Sequence, residues 1–265
     1  MIKKLTEKDR EKVLNYLYQE PGFNIFIIGD IEAFGFDTDF QRIYADIDKF
    51  NNYLSVFLRY RENAIYYSHN NSFNNDYLEI FKKDSFQYIS GKKEVMEIID
   101  KYLSGYKLSQ MYFCEAKELK VKPTKHRFQI KTLKTKADCE RLYDLIKQIE
   151  EFSSFKKNKA DFIEAKLNSI KMGTTLFLED GNNIISTVAT TAETKKSAMV
   201  VSVATDPKYR NNGFASILMQ YLMERYFRVK HKSLCLFYDN PQAGKIYLRL
   251  GFETIGKWNM YSKLN

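Results

Sequence analysis

The chain has 265 residues, with 42 Lys and Arg against 33 Asp and Glu, a formal net charge of +9 and an isoelectric point near 9.1. Its 44% hydrophobic and 15% aromatic content supplies core material for one large domain or two smaller ones and excludes a disordered chain. The positive surplus attracts polyanions, phosphorylated small molecules and acidic membranes alike, but no run approaches the roughly 18 apolar residues that a membrane span requires.

In chain order, the opening MIKKLTEKDREKVL sets charges where the apolar segment of a signal peptide would lie, so a soluble, cytoplasmic protein is expected. From Ile2, IKKLTEKDREKVLNYL reads as a short strand, a polar turn and an amphipathic helix. From Val56, VFLRYRENAIYYS reads as strand, turn and strand. KELKVKPTKHR, residues 117–127, has a proline, many charges and few apolar residues, and reads first as a solvated linker and only second as a nucleic-acid patch. Beyond it the opening pattern returns. IKTLKTKADCERLYDL matches the N-terminal stretch at Ile2 and Ile130, Lys3 and Lys131, Leu5 and Leu133, Lys8 and Lys136, Leu14 and Leu142, and Leu17 and Leu145. LFLEDGNNIISTV from Leu176 likewise parallels the Val56 hairpin. Two domains of one fold are expected, at 1–120 and 121–265.

Within the second half the patterns predict strand 127–133, helices 137–150 and 159–170, and strands 174–179, 183–191 and 197–205. Helix 213–228, strand 233–238, helix 241–250 and strand 252–262 follow. DGNN at 180–183 is a hairpin turn, and Phe214, Ile217, Leu218, Tyr221 and Leu222 form one apolar helix face. The fold class is α/β, with a mixed parallel and antiparallel sheet. Cys114, Cys139 and Cys235 are odd in number and never paired as C-x-x-C, so buried reduced thiols are expected. His69, His126 and His231 share no ligand spacing, and no metal is expected.

PKYRNNGFAS, 207–216, is a polar turn between the strand AMVVSVAT and a long apolar helix. A helix beginning there turns unpaired N–H groups and its positive dipole end outward, a ready site for phosphates. Gly213 permits a positive φ and close ligand approach, Ala215 and Ser216 are small, and Arg210 adds a cation at the rim. Neither the Walker A nor the dinucleotide pattern fits.

VATDPKYRNNGFAS resembles the acyl-CoA signature of the GNAT superfamily of N-acetyltransferases, [RQ]-x-x-G-x-[GA], with Arg210, Gly213 and Ala215 in its three defining positions. LFYDNPQAGKIYLRLGFETIGKW resembles the family's second signature, carried by Asn240, Ala243, Tyr247, Gly251 and Phe252. The resemblance covers about residues 127–265 and implies a GNAT-like acyl-CoA N-acyltransferase fold. Acetyl-CoA would be the donor and an unidentified primary amine of a small molecule or protein the acceptor. It further implies that strands 197–205 and 233–238 splay around the pantetheine arm, to which Val203, Ala204 and Thr205 offer backbone groups, one N–H facing the thioester oxygen. Arg210, Asn211, Asn212, Gly213, Phe214, Ala215 and Ser216 would take the pyrophosphate, Asn240 the pantetheine arm, and the Tyr247 hydroxyl would protonate the leaving thiolate.

Each residue also has a plainer role: Tyr247 as a core aromatic, Asn240 as an N-cap before Pro241, Arg210 as a surface charge. The sequence departs from the family at Val201, about where many members carry a glutamate base. A water chain, Glu179, Glu193 or no base at all are the alternatives. The first half has no R-x-x-G-x-A and resembles a degenerate copy. Its aromatic-rich stretch PGFNIFIIGDIEAFGFDTDF, 21–40, serves core packing first, with an acceptor pocket or domain interface as the other roles. A non-catalytic acyl-CoA sensor is the second functional hypothesis. A tRNA-dependent aminoacyl transferase, with nucleic acid as partner, is the third and is opposed by the intact CoA cradle. A homodimer stays open.

Overall fold

The computed structural model describes residues 1–36, 38–124, 126–152 and 158–264. Asp37 of the aromatic-rich stretch, Lys125 of the linker and residues 153–157, just beyond expected helix 137–150, lie outside the described residues. Two compact units form. One comprises Met1–Cys114, Phe237–Asn240 and Thr254–Asn265, and the other Glu115–Leu236 and Pro241–Glu253. The division expected at 120/121 differs from these units at residues 115–120, which count with the second, and at 237–240 and 254–265, which count with the first.

The first half of the chain forms β1 (Ile2–Lys4), α1 (Arg10–Leu17), α2 (Ile25–Phe34), β2 (Gln41–Ile47), β3 (Tyr53–Tyr60), β4 (Asn63–Tyr67), α3 (Leu78–Lys83), β5 (Tyr88–Lys92), α4 (Lys93–Ile99) and β6 (Tyr106–Ala116). The second half forms β7 (Lys131–Thr132), α5 (Lys136–Ile146), α6 (Lys159–Ser169), β8 (Thr175–Asp180), β9 (Asn183–Thr191), β10 (Ser197–Thr205), α7 (Phe214–Glu224), β11 (Ser233–Tyr238), α8 (Pro241–Leu250) and β12 (Glu253–Lys263). Strands of the first unit run in the order β1-β2-β3-β4-β5-β12-β6, and those of the second β11-β10-β9-β8-β7. The sheets are mixed: β4 with β5 and β10 with β11 are parallel, and the hairpins around them antiparallel.

Local sequence explains the starts of both halves. Asp9 accepts from the Thr6 N–H and hydroxyl ahead of α1, and Thr135 and Asp138 form a reciprocal capping box ahead of α5. The order strand, two helices, three antiparallel strands, helix, parallel strand, helix, strand occurs twice along the chain. By that order the counterpart of β8–β9 is β2–β3, so the alignment of the Val56 hairpin, which is β3–β4, with LFLEDGNNIISTV is one strand out of step. Neighbouring hairpins share one alternation pattern, and local sequence does not tell them apart.

Three further expectations change. Strand 127–133 shrinks to Lys131–Thr132, an edge strand paired with Phe177 and Leu176. Helix 213–228 is α-helical only to Glu224 and continues as a π turn over Arg225–Val229. Tyr221, placed on the apolar face, is 44% exposed, while Met219, Gln220 and Met223 are buried, because strands β8 to β10 and helix α8 all pack against α7. Cys114, Cys139 and Cys235 are free and buried, as expected. No described helix is long and apolar enough to cross a membrane.

Candidate active site

β10 enters the site with its ladders interrupted on both sides. Its parallel pairing with β11 joins Ser197–Met199 to Ser233–Cys235 and goes no further among the described residues. On the other edge Val201 faces Ala189 and Ala204 faces Thr187, so β10 uses one residue more than β9, and Ser202 sits at φ +54°. This is a β-bulge, which frees backbone groups of Ser202 and Val203 from the ladder. Ala204 is buried in the core of α5 and α6, and its carbonyl accepts from Ser186 Oγ at 3.0 Å. Thr205 Oγ1 lies 2.9 Å from the same hydroxyl. The strand end is thus pinned from the β9 side, and the opposite edge is left open.

The polar turn follows. Asp206 accepts from the Lys208 N–H at 2.8 Å, Pro207–Tyr209 form a 3-10 turn, and Asn212 Nδ2 donates to the Tyr209 and Arg210 carbonyls at 3.1 Å each. Asn211 and Gly213 both have positive φ, +64° and +78°. Gly213 is the N-cap of α7 but has no side chain to cap it, and a Cβ there would meet nothing within 4 Å. Ile217 donates to the Gly213 carbonyl at 3.0 Å, and the N–H groups before it face out of the helix end. The turn therefore builds an open, electropositive N-terminus of the kind expected from PKYRNNGFAS.

Phe214 packs edge-on to Phe128 with centroids 5.0 Å apart. Arg210 is not a free rim charge. Its Nη2 reaches Glu151 Oε2 at 3.0 Å and its Nε the Thr205 carbonyl at 3.4 Å, and with this partner Glu151 is held below the usual carboxylate range, chiefly by its own backbone N–H and then by Arg210.

A cavity of about 270 Å³ opens at this helix end, lined by Gly213, Ser216 and Gln220 of the α7 region, Arg249 of α8, and Lys122 and Thr124. Arg249 Nη2 donates to Ser216 Oγ at 3.1 Å. Lys122 and Thr124 belong to the stretch read as a solvated linker, which instead docks on the second unit. Thr124 N–H donates to Gln220 Oε1 at 2.7 Å and Lys120 N–H to the Leu250 carbonyl at 3.0 Å. Gly251 admits that docking, since a Cβ on it would fall 2.8 Å from the Glu118 carbonyl oxygen. Sequence reasoning misses Lys122 and Arg249, because each is one cation among 42. The place of Arg249 in the second signature, two residues before Gly251, is the one signal that could have found it.

Tyr247 is buried on α8, edge-on to Phe252 with centroids 6.1 Å apart, and burial pushes its hydroxyl up to about 12. Such a phenol keeps its proton at neutral pH and has it available to donate. Asn240 directly precedes α8 and counts with the first unit. Neither carboxylate considered as a base is free. Glu179 is held low by Lys131 and Arg141. Burial opposes ionisation of Glu193, but bonds from Tyr226 and Lys230, with Lys232 3.3 Å away, outweigh it and hold the group low. Val201 is apolar.

Residues 139–252 match the model of the acetyltransferase (GNAT) family. An L-amino acid N-acetyltransferase of Escherichia coli is 35% identical over 66 residues, which are 24% of this chain and 41% of that relative. Among solved structures, a GCN5-related N-acetyltransferase from Kribbella flavida superposes with TM-score 0.59 at 17% identity, over 80% of this chain and 87% of its own. A tandem GNAT protein from the clavulanic acid biosynthesis pathway does so with TM-score 0.60 at 10% identity, over 98% and 97%. At those identities the structures speak to the fold alone. The stretch that matches the acetyltransferase (GNAT) family model, residues 139–252, is also the one that holds the bulged β10, the left-handed Gly213 and both signatures.

Proposed function

We propose that the protein transfers the acetyl group of acetyl-CoA to a primary amine. The observation that carries this reading is the pairing of an open, left-handed helix start at Gly213 with a strand, β10, whose ladder is broken where a thioester arm would lie. The α7 N–H groups, Arg249 and Lys122 bind the donor's phosphates, and the bulged edge of β10 offers backbone N–H and C=O groups to its arm. The amine lone pair forms the new C–N bond, the C–S bond breaks, and Tyr247 gives its proton to the sulfur. The surplus amine proton passes to solvent, and solvent returns a proton to the Tyr247 oxygen. The family match and the E. coli relative, named for activity on L-amino acids, support an amine acceptor.

In this reading residues 1–120 are a degenerate copy without a donor site. Where β4 and β5 run parallel, a Cβ on Gly91 would fall 2.5 Å from the Tyr66 carbonyl oxygen, so the strands lie too close to admit a ligand between them. A screen of thiol release from acetyl-CoA against amines and peptides tests the function. Turnover with at least one amine is expected. No release with any amine, despite a donor-induced rise in melting temperature, would turn the protein into an acyl-CoA sensor, the reading that the ion-paired Glu179 and Glu193 favour.

A further inference from the structure

Helix α2, IFIIGDIEAF, is apolar nearly all round, with Ile25, Ile27, Ile28, Gly29 and Ile31 buried and only Asp30 and Glu32 charged. Glu32 is answered by the Tyr18 hydroxyl at 2.7 Å. Asp30 has no such answer: among the described residues its side chain has no hydrogen bond and no ion pair, and burial alone pushes it up to about 7. An unpaired, largely buried carboxylate is costly, and a folded protein keeps few of them without a use.

The surroundings point to the use. Phe26 and Phe34 stand four residues before and after Asp30, on the same helix face, and all three are partly exposed. Phe26 stacks on Phe237 with centroids 6.1 Å apart, and Phe237 continues to Phe113 at 4.5 Å. Phe34 meets Phe40 at 5.3 Å and Tyr60 at 5.9 Å. Asp30 thus shares its helix face with two aromatic groups of one unit. Gln41, fully buried on β2, donates to the Asp30 and Gly35 carbonyls, and its Oε1 accepts nothing among the described residues.

Other charges on the packed elements are engaged or exposed. Arg10 is held by Glu7 and the Ile31 carbonyl, Glu11 and Lys12 are exposed on α1, and Arg61 lies over the Phe40 and Tyr60 rings.

A carboxylate to neutralise charge, beside aromatic and apolar surface for the body of a ligand, suits an organic ammonium ion. We propose that this face of α2 binds a primary ammonium ion bearing an apolar or aromatic group, with Asp30 as its counter-ion. This binding does not rest on the function proposed above.

The full chain is titrated calorimetrically, without donor, with 2-phenylethylammonium and with its neutral counterpart 2-phenylethanol. The ammonium binds at least tenfold more tightly, Asp30→Asn removes that preference, and the wild-type affinity rises between about pH 6 and about pH 8 as the carboxyl ionises while the probe stays charged. Equal affinity for the two probes, no binding of the ammonium, or an Asp30→Asn protein that keeps the preference overturns the proposal. If Asp30→Asn does not fold, the probe comparison and pH dependence in the wild type decide. A missing melting shift with acetyl-CoA overturns the donor reading instead, and does not touch the ammonium titration, which is run without donor.

Discussion

Arg249 Nη2 and Ser216 Oγ, 3.1 Å apart, join the last turn of α8 to the first turn of α7. A cation is thereby held over a helix end that already favours anions, where a charge-assisted bond to phosphate adds about 1.5–3 kcal/mol. Arg249→Ala is expected to raise the Kd for acetyl-CoA about tenfold or more with little change in Tm, because the side chain is exposed. Unchanged donor affinity by calorimetry would remove Arg249 from the phosphate site.

Two glycines of positive φ separate backbone strain from steric conflict. Gly213→Ala meets open space and loses only the left-handed preference, about 1–2 kcal/mol, together with part of the donor affinity. Gly251→Ala adds a Cβ 2.8 Å from the Glu118 carbonyl oxygen and 3.1 Å from the Lys120 nitrogen, so its Tm is expected to fall further. Urea denaturation of both variants checks the order, and a reversed order contradicts the docking of the linker on Gly251.

Tyr247→Phe is expected to lower kcat by about 10²-fold or more while leaving the Kd for acetyl-CoA within a factor of about two. Because burial pushes the hydroxyl up to about 12, the wild-type kcat should show no alkaline fall from this group below about pH 10. Stopped turnover at pH 8 to 9 with the donor still bound, followed by thiol release, would reassign the acid.

Glu193 ties Thr190, Tyr226, Lys230 and Lys232 together under the π turn. Its folded carboxyl is held below the usual value, so its contribution to stability is complete above that value and is lost as pH falls through the lower folded one. The Tm of the wild type should therefore fall more steeply between about pH 5 and about pH 3 than that of Glu193→Gln, which starts lower at neutral pH. Parallel melting curves across that range would show that the ion pairs contribute nothing.

The turn and the close approach at the proposed donor site were legible because their geometry dictates residue type. A left-handed helix start wants Gly213, a close backbone approach wants Gly251, and both leave a fixed imprint that spacing can reveal. Helix α8 was legible for the same reason, through its register to Gly251. Lys122 and Thr124 were not, since the docking of a polar segment depends on Gln220 and Leu250, far away in the chain. The bulge at Ser202 was equally hidden: it requires knowing that Ala189 and Thr187 lie opposite. The unit to which 254–263 belongs is a matter of pairing partners, which leave no local trace in a strand's own alternation.

That last strand has a consequence for the order in which the chain matures. β12 supplies the first unit's sheet with pairs from Trp258 to Lys92 through Ser262 to Tyr88. A ribosome that has finished residues 1–114 has therefore made a sheet that lacks the strand between β5 and β6, and β5 waits through the synthesis of residues 115–253 for its neighbour. The half that is translated first is closed last.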